Sequence, residues 1–185
     1  MDNLIELALE IQEILEKKGY KFYFIGGLAV QFWGQNRLTD DVDLNLITEF
    51  KNEEYIIKDL LATFLPRRAD SFEIATNARV VLVKNKDNIS IDIALGGFPF
   101  EIEAYNNSKI IELPNKKFLR VINPEDLIIM KAFAARPHDW EDVKTIIQSQ
   151  GKETFNKNRI FNTVKMLSEL KEEPEILDKL KQMFD

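Results

Sequence analysis

The sequence predicts an α+β protein in two parts: a mixed β-sheet flanked by helices over residues 1–122, then a C-terminal helical bundle over 123–185. Three observations predict it. Residues 41–46 and 89–95 alternate large apolar side chains with polar or small ones, the period of a strand with one face in a core. Gly26-Gly27 separate an apolar, aromatic run from a short amphipathic one, as at a strand-to-helix junction. From residue 123 onward the apolar positions recur only at helical spacing, and Pro124 and Pro174 stand where first-turn prolines belong.

In order, Leu4, Leu7, Ala8, Ile11, Ile14 and Leu15 predict an amphipathic helix over 3–18, closed by Gly19. Residues 21–25 predict a strand. Gly26-Gly27 open a helix to Trp33, Gly34 closes it, and 36–40 form a polar turn. On strand 41–46, Val42, Leu44 and Leu46 share one face and Asp41, Asp43 and Asn45 the other. A helix over 51–65 follows, then strands over 71–75, 79–84 and 89–95, the last two a hairpin turning at Lys86-Asp87-Asn88. Gly96-Gly97 and Pro99 predict an irregular stretch to about Asn107. Two short strands, 108–113 and 117–121, flank a turn at Asn115-Lys116. Asn123 is a good N-cap for the first of four helices, over 124–135, 138–149, 155–171 and 174–184.

Composition narrows the function. With no cysteine, disulfides, thiolate metal sites and thiol nucleophiles are excluded. No apolar run approaches the roughly 20 residues of a membrane span, and Met1-Asp2-Asn3 does not open like a signal peptide, so no membrane partner and a cytoplasmic location are expected. The net charge of −6 argues against extended non-specific nucleic-acid binding, but not against one small folded RNA as substrate.

The side chains with chemistry in them lie on the polar strand faces. Asp41 and Asp43 project together, and two carboxylates that close repel unless a cation lies between them. Mg²⁺ suits such a pair, taking a few carboxylate oxygens plus phosphate and water. The Gly26-Gly27 junction lets backbone approach a phosphate at a helix N-terminus. Asp92 is a single acid between isoleucines that face the other way. Each signal has a plainer reading: a solvated acidic edge, a tight turn, a surface acid. If the Asp92 strand neighbours the Asp41–Asp43 strand, three carboxylates converge, as two-metal phosphoryl chemistry requires.

Taken together, Ile25-Gly26-Gly27, thirteen intervening residues, Asp41-Val42-Asp43-Leu44, and Asp92 within Ser90-Ile91-Asp92-Ile93 resemble the DNA polymerase β-type nucleotidyltransferase superfamily. The run Arg37-Leu38-Thr39-Asp40-Asp41-Val42-Asp43 is similar to the form found in bacterial minimal, AbiEii-like nucleotidyltransferases. Pro124–Leu127, Lys131 and Ala134–Val143 resemble the helical segment that follows the catalytic sheet there. The resemblance implies a nucleotidyltransferase fold and transfer of an NMP group from an NTP to an acceptor hydroxyl on a tRNA, a protein or a small molecule. It further implies Mg²⁺ (or Mn²⁺) on Asp41, Asp43 and Asp92 as catalytic residues, and nucleotide contacts from Gly26, Gly27, Arg37, Thr39, Lys131 and Asp139. A toxin role with a cognate antitoxin is part of the same analogy. The rival expectation is a non-catalytic member of the fold that binds a nucleotide or a partner protein.

Some residues keep two readings. Lys131 interrupts an apolar helix, so it either snorkels to solvent or meets an anion. Arg136 either pairs with Asp139 or touches substrate. Arg67-Arg68 is a solvated turn or a phosphate contact, and His138 reads as a helix-start residue.

Overall fold

The computed structural model describes residues 2–35, 38–114 and 116–185. Asn36, Arg37 and Asn115, on which two expected turns and one expected nucleotide contact fall, lie outside the described residues. Contacts group the chain into two compact units, one of Met1–Leu28 with Leu38–Ile122, the other of Ala29–Arg37 with Asn123–Asp185.

The chain begins with α1 (Asp2–Lys17), whose Leu7, Ala8, Ile11 and Leu15 are buried along one stripe. Then come β1 (Phe22–Phe24), α2 (Gly26–Trp33), β2 (Asp41–Ile47), α3 (Glu53–Thr63), β3 (Leu65–Pro66), α4 (Ser71–Ala78), β4 (Val80–Lys84), β5 (Ser90–Gly96), α5 (Pro99–Asn107), β6 (Lys109–Glu112) and β7 (Phe118–Val121). Among the described residues the strands form one sheet in the order β3-β4-β5-β2-β1-β7-β6. It is mixed: β2 runs parallel to β5, and β1 parallel to β7, while the other pairs are antiparallel. Val42, Leu44 and Leu46 of β2 and Ile91 and Ile93 of β5 are wholly buried, so the alternation that predicts these strands also sets which face enters the core.

Two expectations are corrected. Residues 71–75 are not a strand but the start of α4. Phe72, Glu73 and Ile74 imitate a two-residue period, yet the buried residues are Ser71 and Ala75, four apart, which is a helical face. The stretch expected to be irregular up to Asn107 is α5. Pro99 occupies its first turn, where a missing N–H costs nothing, and the Glu101 carboxylate accepts from the N–H groups of Gly97 at 2.8 Å and Phe98 at 2.9 Å. Glu101 also accepts from Asn45 Nδ2 at 3.0 Å, and Asn45 is completely buried.

The second unit contains α6 (Pro124–Ala134), α7 (Pro137–Gln150), a 3₁₀ turn at Lys152–Thr154, α8 (Lys157–Leu170) and α9 (Glu175–Phe184). Asn123 caps α6, its side chain accepting from Asp126 N at 2.9 Å. Asp126 is fully buried and is held by Arg159 of α8. Phe161 and Phe155 meet Phe184 edge-on, with ring centroids 5.4 and 5.9 Å apart, tying α9 to the start of α8. Among the described residues no helix is long and apolar enough to cross a membrane.

Because Glu101 serves three donors at once, Glu101→Ala leaves the buried Asn45 side-chain amide without a hydrogen bond among the described residues. It is expected to lower the unfolding free energy by about 2–4 kcal/mol, measurable by urea denaturation.

Candidate active site

The acids lie on neighbouring strands in a register that sets them side by side. In the parallel β2–β5 pair, Asp41 stands opposite Ser90 and Asp43 opposite Asp92. Strands in a sheet are about 4.8 Å apart, and in-register residues point to the same face. Asp41, Asp43 and Asp92 are each half-buried, while the residues between them are buried on the opposite side. Asp40, one residue before the strand, is exposed.

The glycine turn packs directly against these acids. Ile25 N donates to Asp43 O at 2.9 Å and fixes the end of β1 on β2. Gly26 has φ +61°, and a Cβ there would run into the Asp43 carboxylate. A Cβ at Gly27 would strike the Thr39 side chain, whose hydroxyl donates to Asp41 Oδ1 at 2.9 Å. The absent side chains are thus the space into which the Asp43 carboxylate and the Thr39 side chain fit. Asp43 lies against the first residue of α2, where the positive end of a helix favours negative charge.

Asp92 has a neighbour that its own strand does not reveal. Arg67, one residue beyond β3, brings Nη2 to 2.7 Å from Asp92 Oδ1. This is an ion pair by distance only: among the described residues that oxygen, itself buried, accepts no hydrogen bond. Burial pushes the Asp92 carboxyl upward from its ordinary pKa; the Arg67 charge opposes that shift and the Asp41 charge adds to it, leaving it raised. Sequence reasoning leaves Arg67 between a solvated turn and a phosphate contact. The adjacent Arg68 pairs with Asp70 instead, at 2.8 Å.

The donor set suits a hard divalent cation, being oxygen only and all carboxylate. Asp92 Oδ1, buried and accepting no hydrogen bond, is an acceptor such an ion would satisfy. Among the described residues, no three acids or histidines are gathered into a ready ligand group.

In the helical unit Lys131 meets an anion; it does not snorkel. It is 6% exposed, and its ammonium reaches Asp139 Oδ1 at 2.9 Å and Asp142 Oδ2 at 2.7 Å, both on α7 and both buried. Arg136 clasps Asp139 through Nε at 2.6 Å and Nη2 at 3.2 Å, which answers the question its sequence position leaves open. His138, in the first turn of α7, has Nε2 3.6 Å from the same carboxylate. Burial alone would push the Asp139 carboxyl upward, but hydrogen bonds from Arg136 and Lys131 outweigh it and hold the carboxyl below its ordinary value.

The family model for nucleotidyl transferases of unknown function (DUF2204) matches residues 5–182. The chain belongs to that family. It is a nucleotidyltransferase by membership, and its α+β architecture agrees with solved structures. An antigenic nucleotidyltransferase-like protein from Paracoccidioides brasiliensis superposes with a TM-score of 0.58 at 14% identity, over 98% of this chain and 93% of that one. The antibiotic-resistance factor ANT(2'')-Ia superposes with a TM-score of 0.52 at 18% identity, over 96% and 97%. No curated protein matches at the level of sequence.

For this nucleotidyltransferase the buried ion cluster yields two expectations. Lys131→Met removes the ammonium that the buried Asp139 and Asp142 carboxylates share and is expected to lower stability by about 3–5 kcal/mol in chemical denaturation. The depressed Asp139 carboxyl contributes stability that is complete above its unfolded value, about pH 4, and is lost as pH falls through the lower folded value. Stability should therefore decline in acid, and Asp139→Asn should make that decline shallower in denaturation curves collected across pH.

Proposed function

We propose that the chain transfers a nucleotidyl group from an NTP to an acceptor hydroxyl with a divalent cation, Mg²⁺ or Mn²⁺. The observation that carries this reading is the register of Asp43 beside Asp92, with Asp41 on the same face and the Gly26-Gly27 turn packed against Asp43 and Thr39. Asp41, Asp43 and Asp92 would hold the cation, which when bound neutralises phosphate charge and polarises the reacting phosphorus. Thr39 keeps Asp41 in one orientation by its hydrogen bond. Gly26 and Gly27 allow the phosphates to approach the start of α2, and Arg37 would add a cation, as the resemblance of its motif implies. The acceptor oxygen forms a bond to the α-phosphorus while the bond to the bridging oxygen breaks, and pyrophosphate leaves. The hydroxyl proton passes to a carboxylate, and Asp92, on the strand beside Asp43, is the group we assign to take it.

Lys131 and Asp139 would join nucleotide binding only if the ammonium traded a buried carboxylate for a phosphate oxygen. A triphosphate carries enough charge to be such a partner. The acceptor class is a tRNA, a protein or a small molecule, and the net charge of −6 favours a small or cationic one over long nucleic acid. Placement in the AbiEii-like group is supported by the motif from Arg37 to Asp43; a toxin role and a cognate antitoxin rest on that family analogy alone.

Incubation with each labelled NTP, Mg²⁺ and cell extract is expected to label an acceptor whose identity fixes the substrate class. Asp41→Asn and Asp43→Asn should each reduce labelling by about three orders of magnitude while leaving circular dichroism unchanged. Transfer that survives in both variants would sink the site assignment, and binding of nucleotide without any transfer would favour a non-catalytic member. Gly26→Ala, which drives a methyl into the Asp43 carboxylate, is expected to reduce transfer about 100-fold or more.

A further inference from the structure

Arg67 is placed for Asp92 by the sheet itself. Its N–H donates to Leu82 O at 3.2 Å, Leu82 pairs with Asp92 across β4–β5, and Asp92 pairs with Asp43 across β5–β2. Arg67, Leu82, Asp92 and Asp43 therefore lie in one line across the strands, and the guanidinium reaches over Leu82 to the third acid. The backbone that carries it is pinned. Ser71, 2% exposed, accepts from Arg68 N at 3.1 Å and donates to Arg68 O at 2.7 Å.

The side chain, in contrast, is only loosely held. The Arg67 and Asp92 side chains keep 27% and 32% of their exposure, and the contact has no aligned hydrogen bond. A close charge pair without directional bonds, between side chains that each remain part-exposed, is weak and exchangeable. It occupies Asp92 Oδ1, an oxygen that a cation on this acid face would take as a ligand.

We propose that Arg67 is a positioning residue that stands in for the divalent cation at Asp92: it neutralises the third carboxylate while no ion is bound and releases it when the ion arrives. This rests on the metal-dependent reading above. The exchange keeps a cation beside Asp92 throughout, so the acid face need not carry three mutually repelling carboxylates before substrate binds. It also sets a threshold: the ion must displace a guanidinium, so Arg67 weakens metal binding in the nucleotide-free protein.

The test is Mn²⁺ binding without turnover, titrated on the full chain and read from the electron paramagnetic resonance signal of free Mn²⁺. Arg67→Gln should bind Mn²⁺ about two- to ten-fold more tightly than the wild type, the factor expected for removing a competing, part-exposed ion pair. Arg67→Lys, which keeps the charge, should stay near the wild type. In an Asp92→Asn background the Arg67→Gln effect should vanish, which a general change in fold or net charge would not produce. Wild-type binding that Arg67→Gln leaves unchanged or weakens overturns the proposal and leaves the metal reading standing. An equal Arg67→Gln gain in the Asp92→Asn background overturns it as well. Failure of the wild type to bind Mn²⁺, with or without NTP, overturns the metal reading and the proposal together.

Discussion

The parallel register between β2 and β5 is the constraint on which the acid face depends. A slip of one residue would set Asp92 opposite Val42 or Leu44 and turn either the acid or its isoleucine neighbours to the wrong side. Burial forbids the slip, since Val42, Leu44, Leu46, Ile91 and Ile93 are all fully enclosed. The far end of the pair is closed by Thr48 N donating to Gly96 O at 2.7 Å. The hydrophobic effect, which is indifferent to chemistry, thus aligns three carboxylates to a precision that no direct attraction among them could supply.

The two units handle charge in different ways. In the helical unit Lys131, Arg136, Asp139 and Asp142 close on one another, two cations with two anions, and three of the four are buried. Such a cluster is costly to desolvate and costly to break, so it favours one arrangement of α6 against α7. In the sheet unit Asp41 leans on a hydroxyl, Asp43 on a glycine turn and Asp92 on a part-exposed guanidinium. None of these contacts has the closed geometry of the helical cluster. The helical set is built to stay as it is, whereas the Arg67–Asp92 pair of the sheet unit is open to exchange.

Much of the fold was legible because the relevant signals are local. The two-residue period of 41–46 and 89–95 marks strands with one buried face, and it assigns Asp41, Asp43 and Asp92 to the polar side without tertiary information. Asn123-Pro124 marks a helix start in the same way. The segment 71–75 misled because Phe72, Glu73 and Ile74 fit either period over so short a span. The helix α5 carried its signal in the open: Pro99 and Glu101 repeat the logic of Pro124 and a first-turn acid, masked by the preceding Gly96-Gly97 pair. The partner of Asp92 was not legible at all. Arg67 reaches it only because β3 pairs with β4 and β4 with β5, a relation between residues 25 positions apart in the chain. For Lys131 the sequence posed the right alternatives, and Asp139 and Asp142, three residues apart on α7, answer it.

The strand that delivers Arg67 has one more consequence. β3 is two residues long and lies at the edge of the sheet, where a row of unpaired backbone groups would otherwise invite another chain to add a strand. Pro66 removes one of those donors, and Arg67 and Arg68 follow at once with charge. The same four residues that bring a guanidinium to the third acid also protect this edge against self-association, so substitutions there bear on aggregation as well as on the acids.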